Sequence, residues 1–299
     1  MYRTTNFVCP WLCSFQRSFC TGKGVFVSHS ASSKRKKLFY LRKSRSFFIV
    51  KLACSSIGDV EYIPLTPAPS NVTEQEPALG NRVLPLFPLS LVVQPDATIP
   101  LHIFEMRYRL LFNRIKEGDK LFGIVLYNKN NDSVARYGCL MELIRFEPLP
   151  DGRMLTVNVG KERFRVNHII KDKPFITASV VTVEDIDCDD TIFSLGEAVW
   201  TDLNQVLSLS NKLYGKNVCL SEELRRLAPN PESRDRHRLI MFSYRVSQVL
   251  DIPVQDQQLL LQTQSTKDRF QHQLELLEHA RKFLAAQLAI NDALDRRNF

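Results

Sequence analysis

Residues 83–109, VLPLFPLSLVVQPDATIPLHIFEMRYR, limit the folds open to this chain more than any other stretch. Pro85, Pro88, Pro95 and Pro100 punctuate its first half. Each fixes φ, removes a backbone donor and holds the residue before it in extended geometry. The stretch therefore begins as short β pieces that tolerate missing ladder bonds. After Ile103 the period changes. Phe104, Tyr108, Leu111, Phe112 and Ile115 recur at helical spacing, with Glu105, Arg107, Arg109, Arg114 and Lys116 on the opposite side. A broken β segment running directly into an amphipathic helix is the expectation.

The chain before this stretch has a different character. Residues 1–58 contain no Asp or Glu, eleven Lys or Arg and ten Ser. An Arg- and Ser-rich, acid-free N-terminus describes an organelle transit peptide and is set aside from fold reasoning. The Ser and Cys richness and the segment Val50-Lys-Leu-Ala-Cys54 fit a chloroplast leader, destined for the stroma, with a mitochondrial presequence as the alternative. Its apolar runs are too interrupted to span a membrane. The chain's net charge of +8 resides in this leader: without it, 29 basic residues face 32 acidic ones, a balance of −3. A general electrostatic grip on nucleic acid is thereby disfavoured. Outside the leader only Cys139, Cys188 and Cys219 remain, which is neither a disulfide framework nor a metal-ligand pattern.

Residues 59–82, with Pro64, Pro67, Pro69 and Pro77 among polar residues, are expected to be a disordered linker. From 83 to 187 the pattern is mainly β. An apolar run at 121–127, a second segment to Phe146, and the turn signal Pro148-Leu-Pro-Asp-Gly152 predict a hairpin. Beyond it, Met154, Thr156 and Asn158 alternate with Leu155, Val157 and Val159, and Phe164, Val166, Ile169 and then residues 175–183 continue the sheet. The acidic run 184–190 reads as a solvated hinge. Its Asp185-x-Asp187-x-Asp189 spacing lacks the glycine and the bidentate glutamate of a calcium loop. From 188 to 299 the period is helical, with Leu195, Val199, Leu203, Val206 and Leu207 on one face and Phe270, Leu274, Leu277, Leu284 and Leu288 striping the last helix. The polar side of that helix suits solvent or a partner helix in an oligomer.

The motifs Leu84-Pro-Leu-Phe-Pro-Leu89 and Ile99-Pro-Leu-His-Ile-Phe-Glu-Met-Arg-Tyr-Arg109 resemble the opening segment of the Lon protease N-terminal (substrate-binding) domain. Gly123-Ile-Val125, Gly138-Cys-Leu-Met-Glu142, Asp151-Gly-Arg-Met-Leu-Thr-Val157 and Gly160-Lys-Glu-Arg-Phe-Arg-Val166 extend the resemblance, which covers residues 83–290. It implies an α+β fold, a β-rich PUA-like pseudo-barrel followed by an all-helical subdomain, and a role in recognising polypeptides. Met106 stands where the family often has proline, and the family's usual glycine and proline around the second β piece appear here as Ser90 and as Pro95 followed by Asp96. No phosphate-cradling Gly-x-x-x-x-Gly-Lys-Ser/Thr loop and no cysteine-rich zinc module accompanies it, so the resemblance points to a stand-alone domain of the plant organellar type.

No catalytic, cofactor-binding or metal site emerges. Pro85, Phe87, Pro88, Pro100, His102, Phe104, Glu105, Arg107, Tyr108 and Arg109 read as framework, with His102 in a structural, hydrogen-bonded role and Glu105, Arg107 and Arg109 anchoring the helix by ion pairs. His272 and His279, seven apart, read as surface residues. Arg225, Arg226, Arg234, Arg236 and Arg238 form the densest basic group outside the leader and keep an RNA-binding alternative open; an uncharacterised hydrolase is weaker, since no nucleophile–base pair is visible. The reading is a non-enzymatic polypeptide-binding module, an adaptor or chaperone-like factor in plastid protein quality control, with client polypeptides and an organellar protease as its partners.

Overall fold

A computed structural model describes residues 59–66, 81–186, 189–215, 217–230 and 232–295. The transit-peptide reading of 1–58 and most of the linker reading of 59–82 fall outside the described residues. The described residues belong to one compact unit. Seven strands come first: β1 (Tyr62–Pro64), β2 (Asn81–Leu89), β3 (Thr98–Ile103), β4 (Leu121–Asn128), β5 (Ser133–Pro148), β6 (Met154–Lys171) and β7 (Ile176–Val183). Helix α1 (Met106–Glu117) lies between β3 and β4. Then follow α2 (Thr191–Tyr214), α3 (Glu222–Leu227), α4 (Arg236–Val249), α5 (Val254–Gln262) and α6 (Thr266–Asp295). The α+β class expected from the sequence is the observed one.

The sheet order is β1-β5-β4-β2-β7-β6-β3, with β5 also paired to β6. That extra pairing closes β5, β4, β2, β7 and β6 into a ring, leaving β1 and β3 as edge strands. The prolines now have a physical account. β2 changes partner at Leu86, pairing antiparallel with β7 over Asn81–Leu86 and parallel with β4 over Leu86–Leu89. Pro85 lies where only β7 is paired and Pro88 where only β4 is. Each proline therefore sits on a half of the strand with one free side, where its missing N–H removes no ladder bond. Pro100 lies on β3, which pairs with β6 alone. Pro95 leads into Asp96, whose φ of 63° is a left-handed conformation that aspartate tolerates better than most residues.

Leu84, Leu86, Val125, Leu140, Phe164, Val166 and Ala178 fill the ring. Glycine is needed at two places there. A Cβ on Gly123 or Gly138 would lie 2.6 Å from the Phe164 ring, so both permit that ring to occupy the interior. Ile63 of β1 joins this core, and β1 pairs with β5. For residues 59–66 the disordered-linker reading is thus corrected: Ile63, with Leu65 partly buried beside it, anchors on the barrel a segment whose composition is otherwise that of a linker. Helix α1 packs through Phe112 against Phe87 and Phe122, ring centroids 5.7 and 5.1 Å apart, and through Tyr108 against Phe87 at 4.5 Å.

The helices form a second core from Val199, Leu203, Val206, Phe242, Val246, Phe270, Leu277 and Leu284. Asp235 caps α4, and the Ser265 hydroxyl accepts from the Asp268 N–H at the start of α6. Amide side chains seat the helices on the barrel: Gln258 donates to the Tyr137 carbonyl, Gln248 to that of Pro95, and the Gln94 amide on the barrel donates to the Gln257 carbonyl.

Candidate functional site

Two places depart from ordinary amphipathic design. The first is the joint between barrel and helices. Asp185 follows β7, and its side chain is 2% exposed. It accepts hydrogen bonds from four side chains: Arg163 of β6, Arg269 and Thr266 of α6, and Tyr244 of α4. Arg269 reaches both carboxylate oxygens at 2.9 Å, and its guanidinium lies 4.1 Å from the Tyr244 ring centroid. Arg163 and Arg269 also donate to the carbonyls that end α5, those of Leu260, Leu261 and Thr263. Burial lowers the Arg163 pKa and pushes the Tyr244 hydroxyl up to about 12. The solvated-hinge reading of 184–190 is therefore corrected at Asp185. Its carboxylate is desolvated, and only the donors around it make that tolerable. Asp187 lies outside the described residues.

The second place is the outer side of β3 and β6. Within β6, Met154, Thr156 and Asn158 point inward and are buried, while Leu155, Val157 and Val159 are only partly covered. The inward Asn158 amide donates to the Ile99 carbonyl and to the Thr156 hydroxyl. The register sets His102 opposite Leu155, Pro100 opposite Val157 and Thr98 opposite Val159. The resulting outer surface is largely apolar. It continues past the end of β3 into Phe104, 51% exposed, and onto the solvent side of α1 at Met106, 65%, and Leu110, 50%. Lone exposed apolar residues need no explanation, whereas several close together are a candidate interaction surface.

Charged residues border it. Arg107 pairs with Glu105 at 3.1 Å, with both side chains exposed. The Arg109 guanidinium packs over Gly152 in the β5–β6 turn. Arg145 and Glu147 of β5, and Lys161 with Glu142, form the pairs along the far side. Burial, and then the Arg153 charge, hold the His102 imidazole below its ordinary pKa, so it is neutral at pH 7 and adds to the apolar surface.

Beyond Glu105, Arg107 and Arg109, the framework residues fall into two groups. Pro85, Phe87, Pro88, Pro100 and Tyr108 serve the strand pairing and the α1 packing described above. His102 and Phe104 do not. His102 is exposed, makes no hydrogen bond among the described residues, and stands 6.2 Å from the Phe104 ring. Phe104 precedes the helix, which begins at Met106, so it is absent from the buried helical face. His272 is corrected in the other direction. It is buried, neither of its ring nitrogens has a hydrogen-bond partner, and burial lowers its pKa; His279 is exposed.

The arginine group is only partly paired, five guanidinium groups sharing the two carboxylates Asp190 and Glu222. Arg234 and Arg236 pair with Asp190, Arg226 with Glu222, and Arg238 donates to the Ala228 carbonyl. An open depression of about 600 Å³ beside α2 includes Asn204, Ser208, Asn211 and Lys212, but both polar atoms of Asn211 are already committed to Val218. Among the described residues no helix is long and apolar enough to cross a membrane, and no group of three or more His, Cys, Asp or Glu is placed to hold a metal.

Residues 83–279 match the family described as the ATP-dependent protease La (LON) substrate-binding domain. Among curated relatives, the Lon protease of Flavobacterium johnsoniae is 27% identical over 226 residues, covering 71% of this chain and 26% of that protein. The Lon protease of Cytophaga hutchinsonii is 23% identical over 226 residues, covering 73% and 27%. The chain spans about a quarter of the length of these relatives. Among solved structures, a Lon N-terminal domain protein from Xanthomonas campestris is 24% identical with a TM-score of 0.48, covering 65% of this chain and 98% of that one. The N-terminal domain of a Mycobacterium avium complex Lon protease is 12% identical with a TM-score of 0.49, covering 66% and 98%.

Proposed function

We propose, from the premise that this chain belongs to the ATP-dependent protease La (LON) substrate-binding domain family, that it binds polypeptides without cutting them. Its setting in this reading is plastid protein quality control, where it presents clients as an adaptor to an organellar protease or shields them as a chaperone-like factor. The acid-free, Ser-rich leader supports the plastid setting. The observation that carries the binding reading is the apolar surface of Leu155, Val157, Phe104, Met106 and Leu110, mounted on a sheet and a helix whose other sides are packed.

The surface takes client side chains and does not extend the sheet. β3 is an edge strand, and a peptide pairing with it would form a new β ladder. Pro100, in the middle of that strand, offers no donor, a common device for discouraging edge pairing. Recognition therefore rests on apolar side chains of the client meeting apolar side chains of the surface, which suits unfolded segments of many sequences.

The test is binding of the full chain to a reduced, permanently unfolded protein and to single-stranded RNA across a salt series. Preference for the unfolded protein, with affinity nearly constant from low to high salt, is the expected result. Failure to bind unfolded protein, or a steep loss of RNA affinity with salt, would sink the reading.

A further inference from the structure

β1 is held to the fold by few groups, and most of them grip its backbone. It pairs with β5 alone, Tyr62 opposite Ala135, Ile63 opposite Val134 and Pro64 opposite Ser133. β6 is the partner of β5 only from Tyr137 onward, so over residues 133–135 β1 covers one side of β5 and β4 the other. Take β1 away and a free sheet edge remains, with the buried Val134 and Ala135 behind it. The Arg136 N–H donates to the Glu61 carbonyl at 2.8 Å, and the Leu65 N–H donates to the Asp132 carbonyl at 3.4 Å. Gln262, at the end of α5, adds a clamp. Its amide oxygen accepts from the Glu61 N–H at 3.3 Å, and its amide nitrogen donates to the Asp59 carbonyl at 3.2 Å. A side-chain amide that takes a donor and an acceptor from one extended segment reads main chain and not sequence.

Side chains add a short pattern to that grip. Ile63 is buried in the barrel core with Leu65 partly covered beside it, and Glu61 lies 3.4 Å from Arg136. The ladder bonds fall on Glu61 and Leu65, so the intervening Pro64 stands where a strand N–H points away from β5 and its missing donor removes no bond. We propose that the β5 edge with Gln262 is a docking groove for extended client segments, and that residues 59–66 occupy it as an internal stand-in. The client segment carries a carboxylate, an aliphatic residue two positions on and a second aliphatic two after that, with proline tolerated between the two. Binding is by strand addition, the mode that Pro100 discourages at β3. The inference rests on the polypeptide-binding reading and gives it a second site, apart from the outer side of β3 and β6. A segment with one fully buried side chain opens locally, well short of global unfolding. As part of the same chain it competes with a client at an effective concentration on the order of millimolar, so the groove fills only when β1 has left it.

The test is titration of a fluorescent peptide of residues 59–66 into the full chain, read by anisotropy. Ile63→Asp in the chain evicts β1, so the peptide should bind that variant at least tenfold more tightly than the parent. The same peptide carrying Ile63→Asp should not bind, and adding Gln262→Ala to the variant chain should weaken binding at least fivefold. A folded Ile63→Asp chain, checked by circular dichroism, that ignores the peptide overturns the proposal. Hydrogen exchange of the parent chain gives a reading that survives a failure of the variant to fold. The Arg136 amide should exchange at least tenfold faster than that of Phe164 inside the ring, and equal protection would mean that β1 never leaves short of unfolding. Finally, reduced unfolded protein should displace the peptide from the Ile63→Asp chain. If unfolded protein binds that chain without displacing the peptide, the groove is an internal contact only and the proposed function still stands. If it binds neither chain, both readings fall.

Discussion

The joint around Asp185 and the outer side of β3 and β6 invert the usual placement of polar and apolar groups. At the joint a carboxylate and two guanidinium groups are buried where apolar side chains would pack more cheaply. On the outer surface, leucine, valine, phenylalanine and methionine meet solvent while threonine and asparagine are turned inward. A buried ion cluster is poor evidence of added stability, because desolvation offsets most of the attraction; its directional bonds instead hold one arrangement of the parts. The joint ties β6, the segment after β7, α4, α5 and α6 to one another, and that is a specification of geometry. An exposed apolar surface has the opposite economy. It is tolerated by the fold and gains free energy only when something covers it. One region spends its departure from convention on rigidity, the other, in the function proposed above, on recognition.

The largest expected effect comes from breaking the first region at its centre. Asp185→Ala leaves Arg163 and Arg269 buried without a counter-charge, which costs about 3–5 kcal/mol. Chemical denaturation with fluorescence and circular dichroism should show the loss, and a cost below about 1 kcal/mol would mean the joint is not closed as described. Replacing the set together, Asp185→Leu with Arg163→Met and Arg269→Met, should cost less than the single change because no charge is left stranded. A triple variant less stable than Asp185→Ala would show that the ion cluster contributes net stability, and the contrast between the two regions would weaken.

Much of the barrel could be read in advance from residues whose constraints are local. The prolines of residues 83–109 state where a strand lacks a neighbour, and the change of period after Ile103 places α1 within a few residues. The joint was not legible for a definite reason. Asp185 stands in a run of five acids within residues 184–190, where composition predicts solvation, and only contacts from residues 22 to 84 positions away bury it. The recognition surface was hidden differently. The alternation of residues 154–159 shows two faces without saying which is outside, and hydrophobicity alone would turn Leu155, Val157 and Val159 inward. Register with β3 and β5 decides it, through hydrogen bonds that hold Thr156 and Asn158 inside. Phe104 was counted into the helical stripe because it keeps the spacing, although the helix starts two residues later.

The second region should respond in binding and hardly at all in stability. Phe104→Ser, Met106→Ser and Leu110→Ser each remove an exposed apolar group, so each should shift unfolding by less than about 0.5 kcal/mol. Combined, they should weaken binding to an unfolded protein at least tenfold, as read by fluorescence anisotropy. Unchanged affinity in the triple variant would move the recognition surface elsewhere. As a control on the mode of binding, Pro100→Ala restores a donor to the β3 edge; side-chain capture predicts no gain in affinity, whereas a gain would favour strand addition.

Two histidines divide the regions by pH, and here the effects are smallest. Burial holds the pKa of His272 below its ordinary value of 6.5, so the unfolded chain takes up a proton at a pH where the folded chain does not. Its contribution to stability is therefore present above pH 6.5 and is lost as pH falls through the folded-state value, with a slope that cannot exceed about 1.4 kcal/mol per pH unit for one proton. Asp256 of α5 and Glu275 of α6 are the charges near the ring, and both moderate the shift. His272→Leu should remove that slope from a pH series of denaturation midpoints; a parallel pair of curves would show that His272 charges freely in the fold. His102 acts on binding as well. Its lowered pKa gives it a stability contribution of the same sign as that of His272, and a cation beside Phe104 and Leu155 also makes that surface a worse match for apolar side chains. Affinity for unfolded protein should thus fall on acidification below the His102 pKa, which itself lies below 6.5, and His102→Asn should flatten the fall. If His272→Leu flattened the binding curve and His102→Asn left it unchanged, the proposed recognition surface would have been drawn in the wrong place.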